Sequence, residues 1–228
     1  MGVVTDIEIK LPQKGPSSYS AYPARRRPRA EVIFTLEGGA TRSGWVPPRV
    51  ARLYSKDEPD VPCSFQAAMG ALMGLEERAC FTALTELQSR REHSCEEARG
   101  KLLALGYREA SVDKAIDRAR ELRFLDDQRF MTTFIEERLR RGWGKRKVEL
   151  ELRRRGVDPS EIPGYPERFF SAEDDAERAR QLLARKPVPA VRPFEKLVRH
   201  LMGKGFSYDI ASRAARERIA REEEGAEA

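Results

Sequence analysis

The sequence predicts an all-α protein made of three tandem three-helix repeats, preceded by a disordered tail and a small β-element. Three observations carry that expectation. From Ser64 onward apolar residues recur at intervals of three and four, and proline is sparse until Pro159. Three segments, Ser94–Tyr107, Gly144–Val157 and Pro193–Phe206, align on Gly106, Gly156 and Gly205, which lie 50 and 49 residues apart. Eight positions before each glycine stands Ala98, Val148 or Leu197, four before stands Leu102, Leu152 or Leu201, and one after stands Tyr107, Val157 or Phe206.

That registry has a physical cause. Residues four apart share one helical face and can be buried together. A glycine just past the helix can adopt the left-handed conformation that closes a Schellman cap, and the next residue then packs back on the helix. Each repeat therefore has a short middle helix, stopped by glycine and pinned by an apolar pair.

In chain order, residues 1–30 read as a disordered basic tail, with Arg25, Arg26, Arg27 and Arg29 in a Pro, Ser and Gly context. Residues 31–63 read as a small β-hairpin leader, since "EVIFTL" is β-branched and aromatic and Glu37-Gly38-Gly39 is turn chemistry. The double proline at Pro47 and Pro48 forbids a central strand there. Residues 64–124 are the first repeat, with Ser94 and Glu97 as a capping box and Ser111 as the cap of a third helix. Residues 125–170 are the second repeat, whose third helix is reduced to a short turn by Pro159, Pro163 and Pro166. Residues 171–223 are the third, opened by Ser171 and by Ser207 before its last helix.

Composition narrows the function classes. The chain of 228 residues is 35% charged with a net charge of +6, which favours acidic partners such as nucleic acid. Three widely spaced cysteines fit neither a disulfide framework nor a metal knuckle, and two distant histidines argue against a metal or triad site. No P-loop, dinucleotide fingerprint, HExxH or GxSxG pattern occurs. The expectation is a non-enzymatic cytoplasmic protein with no cofactor, no metal and no membrane span.

Charge is concentrated at one place. Between Arg138 and Arg155 nine Lys and Arg face only Glu149 and Glu151, a net +7 in eighteen residues. With Val148 and Leu152 inward, Glu149 can pair with Arg153 and Glu151 with Arg155. That leaves Lys145, Arg146, Lys147 and Arg154 uncommitted, with Arg138, Arg140 and Arg141 just before them. A surplus of this size costs self-repulsion unless an anion relieves it, so anion binding is favoured over a merely solvated face. Trp143, between Gly142 and Gly144, is either an anchor for a partner or a cover over the junction of two helices; Gly142 itself reads as a loop glycine. Asp126 and Asp127, before an apolar-periodic run, read as a helix cap rather than as a metal pair.

The residues from Leu125 to Val157 resemble the signature of the RecX family, regulators of the RecA recombinase. Leu125, Asp126, Asp127, Arg129 and Phe130 match its Leu-Asp-Asp-x-Arg-Phe opening, and Gly142, Gly144 and Gly156 match its glycine-flanked turn and basic helix. Arg91, Ser94 and Glu97 match its first-repeat pattern, while Ala98 stands where leucine is usual and Met131 where a small residue is usual. The resemblance covers roughly Glu76 to Ile219. It implies a curved helical array that lies along the RecA–DNA filament, touching RecA and single- or double-stranded DNA without sequence preference. It further implies inhibition of recombinase and ATPase activity in DNA repair, homologous recombination and the SOS response, by binding rather than catalysis. The competing expectations are a helical DNA-binding protein acting independently of RecA, and a helical scaffold that binds only protein.

Overall fold

The computed structural model describes residues 2–12 and 28–227. The chain divides into two compact units, 1–126 and 127–228. Among the described residues it is mostly helical, with one antiparallel sheet.

The first unit holds that sheet, with strands β1 (Val3–Lys10), β2 (Ala30–Leu36), β3 (Thr41–Val46) and the two-residue β4 (Cys63–Ser64) in the order β3-β2-β1-β4. In β2 the alternation is regular: Ala30, Val32, Phe34 and Leu36 are buried, and the residues between them are not. Pro47 and Pro48 end β3 and start the short helix α1 (Pro48–Tyr54), since proline cannot donate to a ladder but suits a helix's first turn. Helix α2 (Phe65–Arg90) follows, with the Ser64 hydroxyl accepting from the Ala67 amide at 3.1 Å. Helices α3 (Cys95–Ala104) and α4 (Glu109–Glu121) complete the unit.

Two expectations are corrected here. The tail predicted over 1–30 contains β1, which lies inside the sheet between β2 and β4. A register shift between Val4 and Asp6 breaks the strand's alternation, so Val4 is buried and the inward side then resumes at Ile7 and Ile9. Arg25, Arg26 and Arg27 lie outside the described residues. The first repeat is also not separate from the leader. One continuous core runs from Val4, Val32 and Phe34 through Tyr54 and Leu72 to Leu102, Val112 and Leu125. The tyrosines tie it internally: Tyr54 donates to the Ala68 carbonyl at 3.1 Å and Tyr107 to the Ala79 carbonyl at 3.2 Å.

A third correction concerns α4. Ser111 does not cap it; the helix starts at Glu109 and Ser111 is buried within it. Its beginning is instead fixed by Glu76, a fully buried carboxylate on α2 that accepts from the Arg108 amide at 2.9 Å and from its Nε at 2.5 Å. A charged acceptor on an otherwise unpaired helix-start amide does what a cap side chain does. At α3 the expected Ser94 cap is present, accepting from the Glu97 amide at 3.1 Å, while the Glu97 carboxylate takes both terminal nitrogens of Arg91.

The second unit holds α5 (Asp127–Arg140), α6 (Lys145–Arg154), a 3-10 turn at Pro159–Glu161, α7 (Ala172–Ala184), α8 (Pro193–Lys204) and α9 (Tyr208–Glu227). The last helix runs past the expected end at 223. One core cluster joins Phe130, Met131, Phe134 and Ile135 of α5 to Val148 and Leu152 of α6 and to Val157, Ile162, Phe169 and Phe170 beyond it. Another joins α7, α8 and α9 through Leu183, Leu197, Leu201, Phe206 and Ala215.

The glycine registry has the expected local form. Gly106, Gly156 and Gly205 have φ of 96°, 73° and 98°. The amides of Tyr107, Val157 and Phe206 return to the carbonyls of Leu102, Leu152 and Leu201 at 3.3, 3.2 and 3.2 Å. Gly142 is a fourth instance rather than a loop glycine: its φ is 73° and the Trp143 amide returns to Arg138 at 2.9 Å.

Candidate functional site

The end of α5, the Gly142–Gly144 turn and α6 bring together all the residues singled out for partner binding. The turn is held from below. A Cβ on Gly142 would meet Leu182 of α7 at 2.7 Å, and one on Gly144 would meet the Gly205 backbone at 2.5 Å. The Gly144 amide donates to the Lys204 carbonyl at 2.8 Å and the Arg146 amide to the Gly205 carbonyl at 3.2 Å. The last carbonyls of α8 thus satisfy opening amides of α6. Such amides are the usual backbone cradle for a phosphate, and here two of them are already occupied.

Those side chains are ordered by stacking. The Arg155 guanidinium lies 5.1 Å from the Phe134 ring centroid, and that of Arg138 lies 4.6 Å from the same ring and 5.0 Å from Trp143. Lys147 Nζ lies 4.3 Å from Trp143. Cation and ring alternate along five residues, and each contact offsets part of the repulsion between neighbouring charges. Trp143 is half-buried against the α5–α6 core.

Ion pairing differs from the expected pattern. Glu149 accepts from the Tyr165 hydroxyl at 2.7 Å and stands 4.0 Å from Lys145; no pair with Arg153 forms. Burial, with the bond to Glu149 second, pushes the Tyr165 phenol well above its ordinary pKa. Glu151 takes Arg154 at 3.1 Å, so Arg154 is committed rather than free. Arg141 pairs with Glu137 at 2.5 Å, and Glu137 also lies 3.6 Å from Arg138. Among the described residues, Arg140, Arg146 and Arg153 are exposed and have no acidic partner within salt-bridge distance. Arg153, the Arg155–Phe134 stack and the seat on Gly205 escaped the sequence reading. An i,i+4 rule assigned both arginines to glutamates, and nothing local announces a backbone contact sixty residues away.

The motif residues around Asp126 hold structure. Leu125 is buried in the first unit's core and Phe130 in the second unit's. Asp126 directly precedes α5 and Asp127 opens it, where negative charge suits the helix dipole. Arg129 is exposed, and none of the three charged residues stands without a partner. Among the described residues no helix is long and apolar enough to cross a membrane.

The family model described as "RecX, second three-helix domain" matches residues 126–162. A regulatory protein RecX of Vibrio parahaemolyticus is 31% identical over 138 residues, which are 58% of this chain and 86% of that protein. The chain belongs to the RecX family. The regulatory protein RecX of Clostridium botulinum strain Eklund 17B is 32% identical over 149 residues, covering 61% of this chain and 68% of that RecX. The crystal structure of RecX from Lactobacillus salivarius shares the fold at a TM-score of 0.54 and 20% identity, over 64% of this chain and 97% of the other. A second RecX crystal structure does so at 0.53 and 16% identity, over 92% of this chain. Both RecX relatives are described as regulatory proteins.

Proposed function

We propose that this RecX-family protein binds the RecA–DNA filament through the basic face of α6 and the end of α5, and thereby restrains recombinase and ATPase activity during DNA repair and recombination. The three helix groups act as tandem copies of one three-helix unit, and the second copy carries the contact. The observation that supports this best is the set Arg140, Arg146 and Arg153, exposed and with no acidic group within salt-bridge distance among the described residues, beside the cation–ring stack; of the three, Arg153 has the Asp158 carboxylate nearby. Uncompensated cations on a rigid surface are what a phosphate-bearing polymer relieves, with release of counterions. The protein acts by occupancy, without a cofactor, in the cytoplasm.

The test is titration into RecA-coated single-stranded DNA while ATP turnover is followed. Saturable loss of turnover, shifted to higher protein concentration by added salt, is expected. Unchanged turnover at saturating protein would overturn the reading.

A further inference from the structure

The aromatic side chains around the basic face are already occupied. Trp143 has Arg138 and Lys147 over its ring at 5.0 and 4.3 Å, and Phe134 has Arg138 and Arg155 at 4.6 and 5.1 Å. Tyr165 has Lys145 at 5.9 Å and spends its hydroxyl on Glu149. A nucleobase stacking on a ring face that carries one of these cations would have to displace a charge that the bound polyanion itself attracts. The edge-reading chemistry is thin as well: between Arg138 and Arg155 there is no Asn, Gln, Ser or Thr, so no side chain there can make a bidentate pair with adenine. Phosphate therefore meets guanidinium and ammonium groups held in place by rings, without the α6 opening amides that α8 has taken.

We propose that the basic face reads a phosphodiester backbone and is blind to the bases, and that Trp143 is a positioning residue that holds Arg138 and Lys147 toward the phosphates. This rests on the DNA-bearing partner proposed above and specifies which part of the DNA is recognised. Trp143 acts through the two cations: its indole gives each a face to lie on and lets like charges sit close together before any anion arrives. Arg140, Arg146 and Arg153 then add contacts that are free to adjust to the strand.

The experiment compares two labelled single strands of equal length and phosphate number, oligo-dT and an abasic strand of tetrahydrofuran residues, binding to the full chain. The expected result is affinities within about twofold of each other and equal salt slopes, because only phosphates are read. Trp143→Leu should weaken both strands alike by roughly three- to tenfold, with the circular-dichroism spectrum and thermal midpoint retained, and Trp143→Phe should restore most of the affinity by returning a ring to the cations. An abasic strand bound more than about tenfold worse than oligo-dT, with the difference erased by Trp143→Leu, would mean that the indole stacks a base, and would overturn the inference while leaving DNA binding in place. If the wild type binds neither strand, the inference falls together with DNA contact by this face, and acidic side chains on a protein partner become its target. Equal binding of both strands by wild type and Trp143→Leu would show that the indole positions nothing.

Discussion

The Gly144 amide donates to the Lys204 carbonyl at 2.8 Å, and a Cβ on Gly144 would stand 2.5 Å from the Gly205 carbonyl carbon. Two backbones meet here with no side chain between them. Because the obstacle is backbone, it cannot swing aside as a flexible side chain would. Gly144→Ala should therefore cost about 1–3 kcal/mol of stability in the second unit, the usual range for overpacking. Gly100→Ala on α3, where an added Cβ meets nothing within 4 Å, should instead stabilise by about 0.5–1 kcal/mol. Equal denaturant midpoints for the two variants would refute the close junction.

Gly142→Ala should be no milder than a substitution at an ordinary helix cap. Gly142 and Gly156 share a φ of 73°, and an alanine at 142 would also press on Leu182 at 2.7 Å. The left-handed backbone alone costs an L-residue about 1–2 kcal/mol. Gly156→Val adds a β-branched side chain to the same backbone penalty. Both thermal midpoints should fall clearly; a silent Gly142→Ala would return Gly142 to the status of a loop glycine.

Deleting residues 1–12 should abolish cooperative folding of the first unit. Val4 is fully buried, β1 joins β2 to β4, and the Gly2 carbonyl accepts from the Phe65 amide at the start of α2. Removing a central strand exposes two ladders and opens the core. A sharp unfolding transition in the truncated protein, equal to that of the full chain, would contradict the sheet.

The contrast between these sites explains what was legible in the sequence. A Schellman cap is a contact within six residues, so the glycine and its apolar pair show in the sequence at each repeat. Strand β1 pairs with residues beyond an intervening segment, and its bulge breaks the period of two that marks a strand, so "VVTDIEIK" carries no clean alternation. The basic cluster was legible as composition, yet its internal bonding was not. Glu149 is taken by Tyr165 from sixteen residues away, and Glu151 takes Arg154 while Arg155 lies over Phe134.

Acid should destabilise the protein through His93. Burial, with the nearby Arg91 charge second, holds its imidazole below the ordinary histidine pKa of 6.5, and the ring Nδ1 lies 2.9 Å from the Arg91 carbonyl. The folded chain thus resists a proton that the unfolded chain accepts. The stability it supports is present above 6.5 and is lost as the pH falls below that value toward the depressed folded pKa. His200 is shifted the same way, by burial and then by Lys186 and Lys204, and adds to the effect. His93→Gln should flatten the decline of the denaturant midpoint between neutral and mildly acidic pH; an unaltered slope would remove His93 from the account of acid sensitivity.

The exposed arginines supply the most direct measurement on the proposed function. Arg140→Glu/Arg146→Glu/Arg153→Glu leaves Val148, Leu152 and the Trp143 stack untouched, so helicity and midpoint should be retained. Titrated into RecA-coated single-stranded DNA, the reversed protein should leave ATP turnover at its uninhibited rate. Its residual DNA binding should show a shallower logarithmic salt dependence, by about 0.7 for each single-strand phosphate that is no longer neutralised. Full inhibition by the folded, charge-reversed protein would show that this face is only solvated and that the filament is met elsewhere.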